Sequence, residues 1–325
     1  MTAPTTPTQY APPAVRVRGA VLWLGIAIAA LVLVVSLAGL LQGGGPGLTD
    51  VTTLRGDAAQ LFGRGLYRYD TSFSGAAFRG TDVVNVGLAV PALLVCLALY
   101  RRGSLRGALA LTGVVAYFLY VYANLALGAA YNPLFLLYVA LLAAGFYALV
   151  LLLRSVELSP EVLAGLPRRG PAAFFLVAGV ATAIIWLLPL VTALAAGEPP
   201  SRMDTYTTAV TFALDLAIIM PACFIAARLL LRRAALGYLI GVALLGIIVL
   251  LGPNFVAQTV SQLQAGVEFT AGEAVGPIAG FGTVAVFGLW AFVAILRRAP
   301  GRSTDQGADD GLTPGSSERR RHAVS

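Results

Sequence analysis

TTAVTFALDLAIIMPACFIAARLLLRRAALGYLIGVALLGIIVLLGPNFV, residues 207–256, carries the reading on which the fold turns. Two apolar runs, 207–231 and 234–256, are parted only by Arg232 and Arg233. A helix rises ~1.5 Å per residue, so a run of about 20 apolar residues crosses a ~30 Å hydrocarbon layer, and both runs qualify. Neither shows the ~10-residue alternation of a membrane barrel strand. A link this short makes the pair an antiparallel helical hairpin with its cations at one membrane face. A single carboxylic acid, Asp215, interrupts the first run.

The same pattern recurs outward in both directions, at Gly19–Leu41 and at residues 82–100, 107–127, 133–153, 172–196 and 275–296. The sequence therefore predicts an all-α integral membrane protein with eight transmembrane helices. Composition agrees. Of 325 residues, 58% are hydrophobic and only 11% are charged, against ~25% charged in an ordinary soluble domain. A soluble enzyme, a disordered chain and a disulfide scaffold are excluded. Residues 19–35 followed by Ser36-Leu37-Ala38 also fit a secretory leader, but the apolar run continues to Leu41, beyond the usual ~7–15 residues, and reads as a retained span.

The chain has a net charge of +7, and its 22 basic residues are all Arg. Arg16 and Arg18, Arg101, Arg102 and Arg106, Arg154, Arg168 and Arg169, Arg232 and Arg233, and Arg297 and Arg298 all fall on one side if both termini are cytoplasmic. Arg55, Arg64, Arg68, Arg79 and Arg202 remain outside. This is the positive-inside pattern of a multi-pass protein of the cell membrane, not a stripe that tracks nucleic acid. The expected partners are membrane lipids, a small-molecule ligand and a membrane protein partner. Residues 1–14 and 299–325 read as disordered cytoplasmic tails.

Sliding the chain along itself until Asn85 meets Asp215 also brings Pro91 onto Pro221, Arg102 onto Arg232 and Asn124 onto Asn254. A slightly longer shift aligns Pro133 with Pro277 and Arg154 with Arg298. The expectation is two four-helix units, 15–154 and 155–298. With an even number of spans in each, they would be parallel repeats about an axis along the membrane normal. The first unit carries the long outer loop 42–81. Asp50-Val51-Thr52-Thr53 there reads as the cap of a short helix through Gln60, within a half-buried lid.

Asp215 lies roughly 13 Å into its span by helical rise, where a carboxylate needs a partner, an inward face or a proton. Arg79, Asp82 and Asn85 are spaced three apart, so Arg79 and Asp82 can pair. Tyr117, Tyr120 and Asn124 form one stripe of the third span. These seven residues are the candidate ligand- or proton-binding set. Each has a structural alternative: a packing acid for Asp215, a capped helix end for Asp82, an interfacial tyrosine belt for the third span.

Other chemistries have little to stand on. Cys96 and Cys223 sit apart in apolar runs and read as small core fillers. The one histidine, His322, lies in the tail, so no Ser-His set, haem pair or His-based zinc site is available. There is no phosphate-binding G-x-x-x-x-G-K-[ST] loop, and no cofactor or metal is expected. An enzyme could use only Asp82 or Asp215, assisted by tyrosine.

The strings GLYRYDTSF, RGTDVVN, RRGSLRG, YFLYVYAN, YNPLFLLYVAL, DLAIIMPA and LGYLIG resemble a family of bacterial multi-pass membrane proteins with no assigned activity. The resemblance covers roughly residues 60–300. It implies the membrane fold and carries over no ligand or catalytic residue. The functional expectation is binding or transport of a small polar or amphiphilic ligand through an outward-facing polar pocket. Two alternatives stay open: a membrane-embedded enzyme on a lipid-linked substrate, and a non-catalytic accessory subunit.

Overall fold

The structure, a computed structural model, describes residues 14–200, 203–269 and 271–300, with backbone alone at 271–277. Eight helices among these residues are long and apolar enough to cross a membrane: Gly19–Leu41, Ser72–Arg101, Leu105–Gly128, Phe135–Leu153, Arg169–Ala196, Val210–Leu231, Ala235–Gln264 and Ile278–Arg298. They are called first to eighth below. The eighth is the apolar part of a helix that begins at Ala271. The expected tails fall almost wholly outside the described residues. The ends that are described are tied down: Ala14 accepts the Glu157 N–H at 3.0 Å, and the Ala299 carbonyl accepts the Arg106 Nε at 2.7 Å.

The third and seventh helices form the centre, with 78% and 61% of their most apolar windows buried. They cross at Gly113 and Gly246, where a Cβ on Gly246 would run into the Gly113 backbone. Only glycine allows two helix backbones to approach so closely. The fifth, sixth and eighth helices sit at the rim, with only 17–22% buried. Val177, Ile184, Leu188, Val191 and Leu194 of the fifth project outward, an apolar surface far beyond what a monomer shows to water.

The second and sixth helices share an irregularity. Each contains a π-helical turn, Asn85–Ala89 and Asp215–Ile219, immediately before Val90-Pro91 and Met220-Pro221. Proline has no N–H to donate and its ring crowds the carbonyl four residues back, so the preceding turn widens and the Val90 and Met220 N–H groups bond Asn85 and Asp215 instead. Both helices then end at a residue with positive φ, Gly103 at 72° and Arg233 at 55°.

Three boundaries differ from expectation. The second helix begins at Ser72, inside the stretch assigned to the outer loop 42–81. The Thr71 hydroxyl caps it by accepting the Ser74 N–H at 3.1 Å. Its first turns are built from small residues, and Gly80 lies against the backbone of Ala257 and Gln258. Protein rather than lipid covers this end, so hydropathy underrates it. The seventh helix runs on through Pro253 to Gln264, because Gln258 donates to the Thr81 hydroxyl at 3.0 Å and Gln262 to the Phe73 carbonyl at 3.1 Å. The short helix expected through Gln60 is instead an antiparallel hairpin, Thr49–Thr52 with Ala58–Leu61. The Thr53 hydroxyl accepts the N–H groups of Arg55 and Asp57, each at 3.2 Å, and Gly56 turns the chain at φ 92°.

Arginines gather at the end of the bundle opposite this hairpin, where they cap helix C-termini. Arg18 donates to the Arg154 carbonyl, Arg168 to Leu231, Arg106 to Arg297 and Ala299, and Arg233 to Leu163 and Ala164. Cations suit the negative end of the helix dipole. Arg16 pairs with Glu157 at 2.9 Å on the same face.

Candidate functional site

The seven sequence candidates fall into two buried networks and one groove. In the first network, Asp82 and Asn85 of the second helix face the first helix, where Gly39 and Ser36 leave room for them. A Cβ on Gly39 would collide with the Asp82 carboxyl. The Tyr67 hydroxyl, from a 3₁₀ turn of the outer loop, donates to Asp82 Oδ2 at 2.8 Å. Asn85 donates to the Ser36 hydroxyl at 3.4 Å and accepts the Tyr117 hydroxyl at 3.1 Å. Asp82 and Asn85 are 1% and 0% exposed. Burial, with the Asp82 charge nearby, holds the Tyr67 hydroxyl protonated well above its ordinary range.

The second network centres on Asp215. Its Oδ1 accepts the Tyr120 hydroxyl at 2.9 Å, and its Oδ2 accepts the Trp186 Nε1–H at 2.8 Å. Asn124 donates to the Tyr120 carbonyl at 3.0 Å and accepts the Thr211 hydroxyl at 2.7 Å. The stripe on the third helix therefore divides: Tyr117 turns to the second helix, Tyr120 and Asn124 to the sixth. The two networks share no hydrogen-bonded residue. Each carboxyl is held by neutral donors, so each takes a hydrogen-bonded position in the bundle without a guanidinium.

Arg79 belongs to neither. It forms no ion pair with Asp82, whose Oδ2 accepts the Tyr67 hydroxyl, and instead donates to the Leu40 carbonyl at 3.3 Å. Its side chain lines a groove of about 820 Å³ between the C-terminal end of the first helix, the loop 42–71, and the second and seventh helices. Leu40, Phe62, Val83, Val256 and Val260 make the apolar wall, and Arg64, Arg79, Ser261 and Gln264 supply polarity. The lining contains no carboxylate. Neither arginine has an ion-pair partner among the described residues, and both are exposed.

Beside the groove, Asp70 fastens the outer loop. Its Oδ1 accepts the Ala130 N–H at 2.7 Å and the Tyr206 hydroxyl at 2.8 Å, so one oxygen joins the loop to the connections after the third and fifth helices. Its Oδ2 is buried with no hydrogen-bond partner among the described residues. Burial pushes the Asp70 carboxyl up from 3.8 to about 6 against the opposing pull of those two donors. Burial and the Asp70 charge likewise raise the Tyr206 hydroxyl.

Sequence reasoning did not single out Ser36, Arg64, Tyr67, Asp70, Trp186 or Thr211 for these positions. Some signals existed: Arg64 is one of the few arginines that the charge pattern leaves off the arginine-rich side, Trp186 sits mid-span, and Thr211 precedes Asp215 by one helical turn. Tyr67 and Asp70 had no local signal, because their partners lie in other helices and turns. Comparisons with protein-family models, with curated proteins and with solved structures find no match to this chain.

Proposed function

We propose that the protein is a multi-pass protein of the cell membrane, both termini cytoplasmic, that binds or transports an amphiphilic ligand through its outward-opening groove. One observation carries this reading: the groove joins an apolar wall to two exposed arginines, with no carboxylate in its lining and no ion pair to either arginine among the described residues. Such a surface suits a molecule with a hydrocarbon part and an anionic part. Membrane insertion is supported by the apolar rim of the fifth, sixth and eighth helices and by the arginines gathered at one end.

The reading includes two four-helix units. The matched π turns, prolines and positive-φ helix ends support it. A cross-unit correspondence adds weight: Gly80 packs on Gln258, and its counterpart Val210 packs on Gly128, the counterpart of Gln258. In a transporter of this plan Asp215 is the residue of interest, since the first unit holds the uncharged Asn85 at the matching turn. Asp82 and Asp215 lie in separate networks, which favours binding or transport over an enzyme that joins two carboxyl groups.

The test is equilibrium binding of a fluorescent dodecyl amphiphile to the full chain in nanodiscs. Val256→Trp fills the groove from an exposed position and is expected to abolish saturable binding. Unchanged binding in that variant would overturn the reading.

A further inference from the structure

Resting on the groove described above, we infer that its ligand is a lipid bearing an anionic phosphate, with the phosphate held between Arg64 and Arg79 and the chain lying along Val83, Val256 and Val260. The arrangement of the groove carries this assignment. Pro253 to Gln264 spans about 16 Å of the seventh helix by rise per residue, so the groove runs from the outer end of the bundle down into its apolar depth. The outer end has Arg64 from the loop, Arg79 from the second helix, and Ser261 and Gln264 from the seventh. The deeper part has Val83, Pro253 and Val256, all exposed and so open sideways to hydrocarbon. Polarity at one end and a lateral apolar opening match a lipid lying with its head outward.

The head must be anionic. Arg79 donates one N–H to the Leu40 carbonyl, and no other hydrogen bond or ion pair engages its guanidinium among the described residues. Its nearest acid in sequence, Asp82, accepts the Tyr67 hydroxyl, forms no ion pair with Arg79 and does not line the groove. Two guanidinium groups against one head favour phosphate, which offers more acceptor oxygens than a carboxylate and, as a monoester, more charge. A free anion would use the two arginines and leave the apolar wall idle, which is why the lipid-borne form is assigned.

Native mass spectrometry of the full chain, released from nanodiscs containing phosphatidic acid or diacylglycerol of the same acyl chains, reads the headgroup directly. Phosphatidic acid is expected to be retained about tenfold over diacylglycerol. Arg64→Gln and Arg79→Gln should each remove most of that preference, and Arg79→Lys should keep part of it. If both glutamine variants retain the preference, or if diacylglycerol is held equally well, the phosphate assignment falls while the groove reading stands, provided Val256→Trp still expels both lipids. If Val256→Trp expels neither, the groove reading itself has failed. Inorganic phosphate displacing phosphatidic acid at equal concentration would overturn the lipid source.

Discussion

Neutralising Asp70 is expected to stabilise this protein at neutral pH, and the sign follows from its surroundings. The carboxyl is 1% exposed, one oxygen holds two donors and the other holds none. Its folded-state value is about 6 against 3.8 for the ordinary group. Between those two values the native state binds the proton and the unfolded chain does not, so stability falls as pH rises through that window. The contribution is fully present below 3.8 and lost above about 6; two units of displacement correspond to about 3 kcal/mol at most. Asp70→Asn mimics the protonated form, and its Oδ1 can still accept from Ala130 and Tyr206. Thermal unfolding of the wild type in detergent should show a higher midpoint at about pH 4.5 than at about pH 7.5. The variant should be flatter across that range and more stable than the wild type at its upper end. A variant that is less stable at about pH 7.5, or that keeps the full wild-type pH dependence, refutes the reasoning.

Other expectations rest on single contacts. Tyr67→Phe removes the donor to Asp82 and should cost about 1–3 kcal/mol, whereas Tyr67→Phe combined with Asp82→Leu should cost less than the sum of the two; additive losses in unfolding midpoints would deny the coupling. Gly246→Val pushes side-chain atoms into the Gly113 backbone and should destabilise by about 1–3 kcal/mol or more, seen as loss of monodisperse protein; normal yield and midpoint would mean the two helices cross elsewhere. Asp215→Asn keeps its bonds by turning Oδ1 to Trp186 and its amide to Tyr120, so folding should persist while any pH-dependent flux of the ligand is lost; unchanged flux in reconstituted vesicles would remove Asp215 from the transport reading.

The eight long helices are legible because each carries an apolar run long enough to cross a membrane, which hydropathy reads directly. It fails where protein supplies the cover. The segment from Ser72 to Thr81 is too rich in Ser, Gly and Thr to register as a span, yet the seventh helix and Phe62 bury it. The seventh helix reads as ending near Val256 because Gln258 and Gln262 look like loop polarity until their partners on the second helix are known. In the outer loop, Thr52-Thr53 followed by polar residues fits a helix cap as well as a strand end. The hairpin wins through Gly56 and the β-branched Thr49, Val51 and Thr52.

The candidate residues were visible as polar atoms in apolar runs, which is a statement about cost and not about partners. Spacing placed Arg79 beside Asp82, but Tyr67 arrives from the loop and takes the carboxyl, leaving the arginine to the groove. Spacing also put Tyr117 and Tyr120 on one stripe. A central helix has neighbours on every side, so a small rotation sends one to Asn85 and the other to Asp215. The groove itself needs four chain segments at once, and no local pattern announces it.

Photo-cross-linking with a diazirine-bearing phosphatidic acid in nanodiscs, mapped by peptide mass spectrometry, bears most directly on where the ligand lies. Adducts that concentrate on Val83, Val256 and Val260, and that excess unlabelled phosphatidic acid suppresses, are the expected result. Adducts spread evenly over the outward residues Ile184, Leu188 and Leu194 of the fifth helix, with none enriched in the groove, would contradict it.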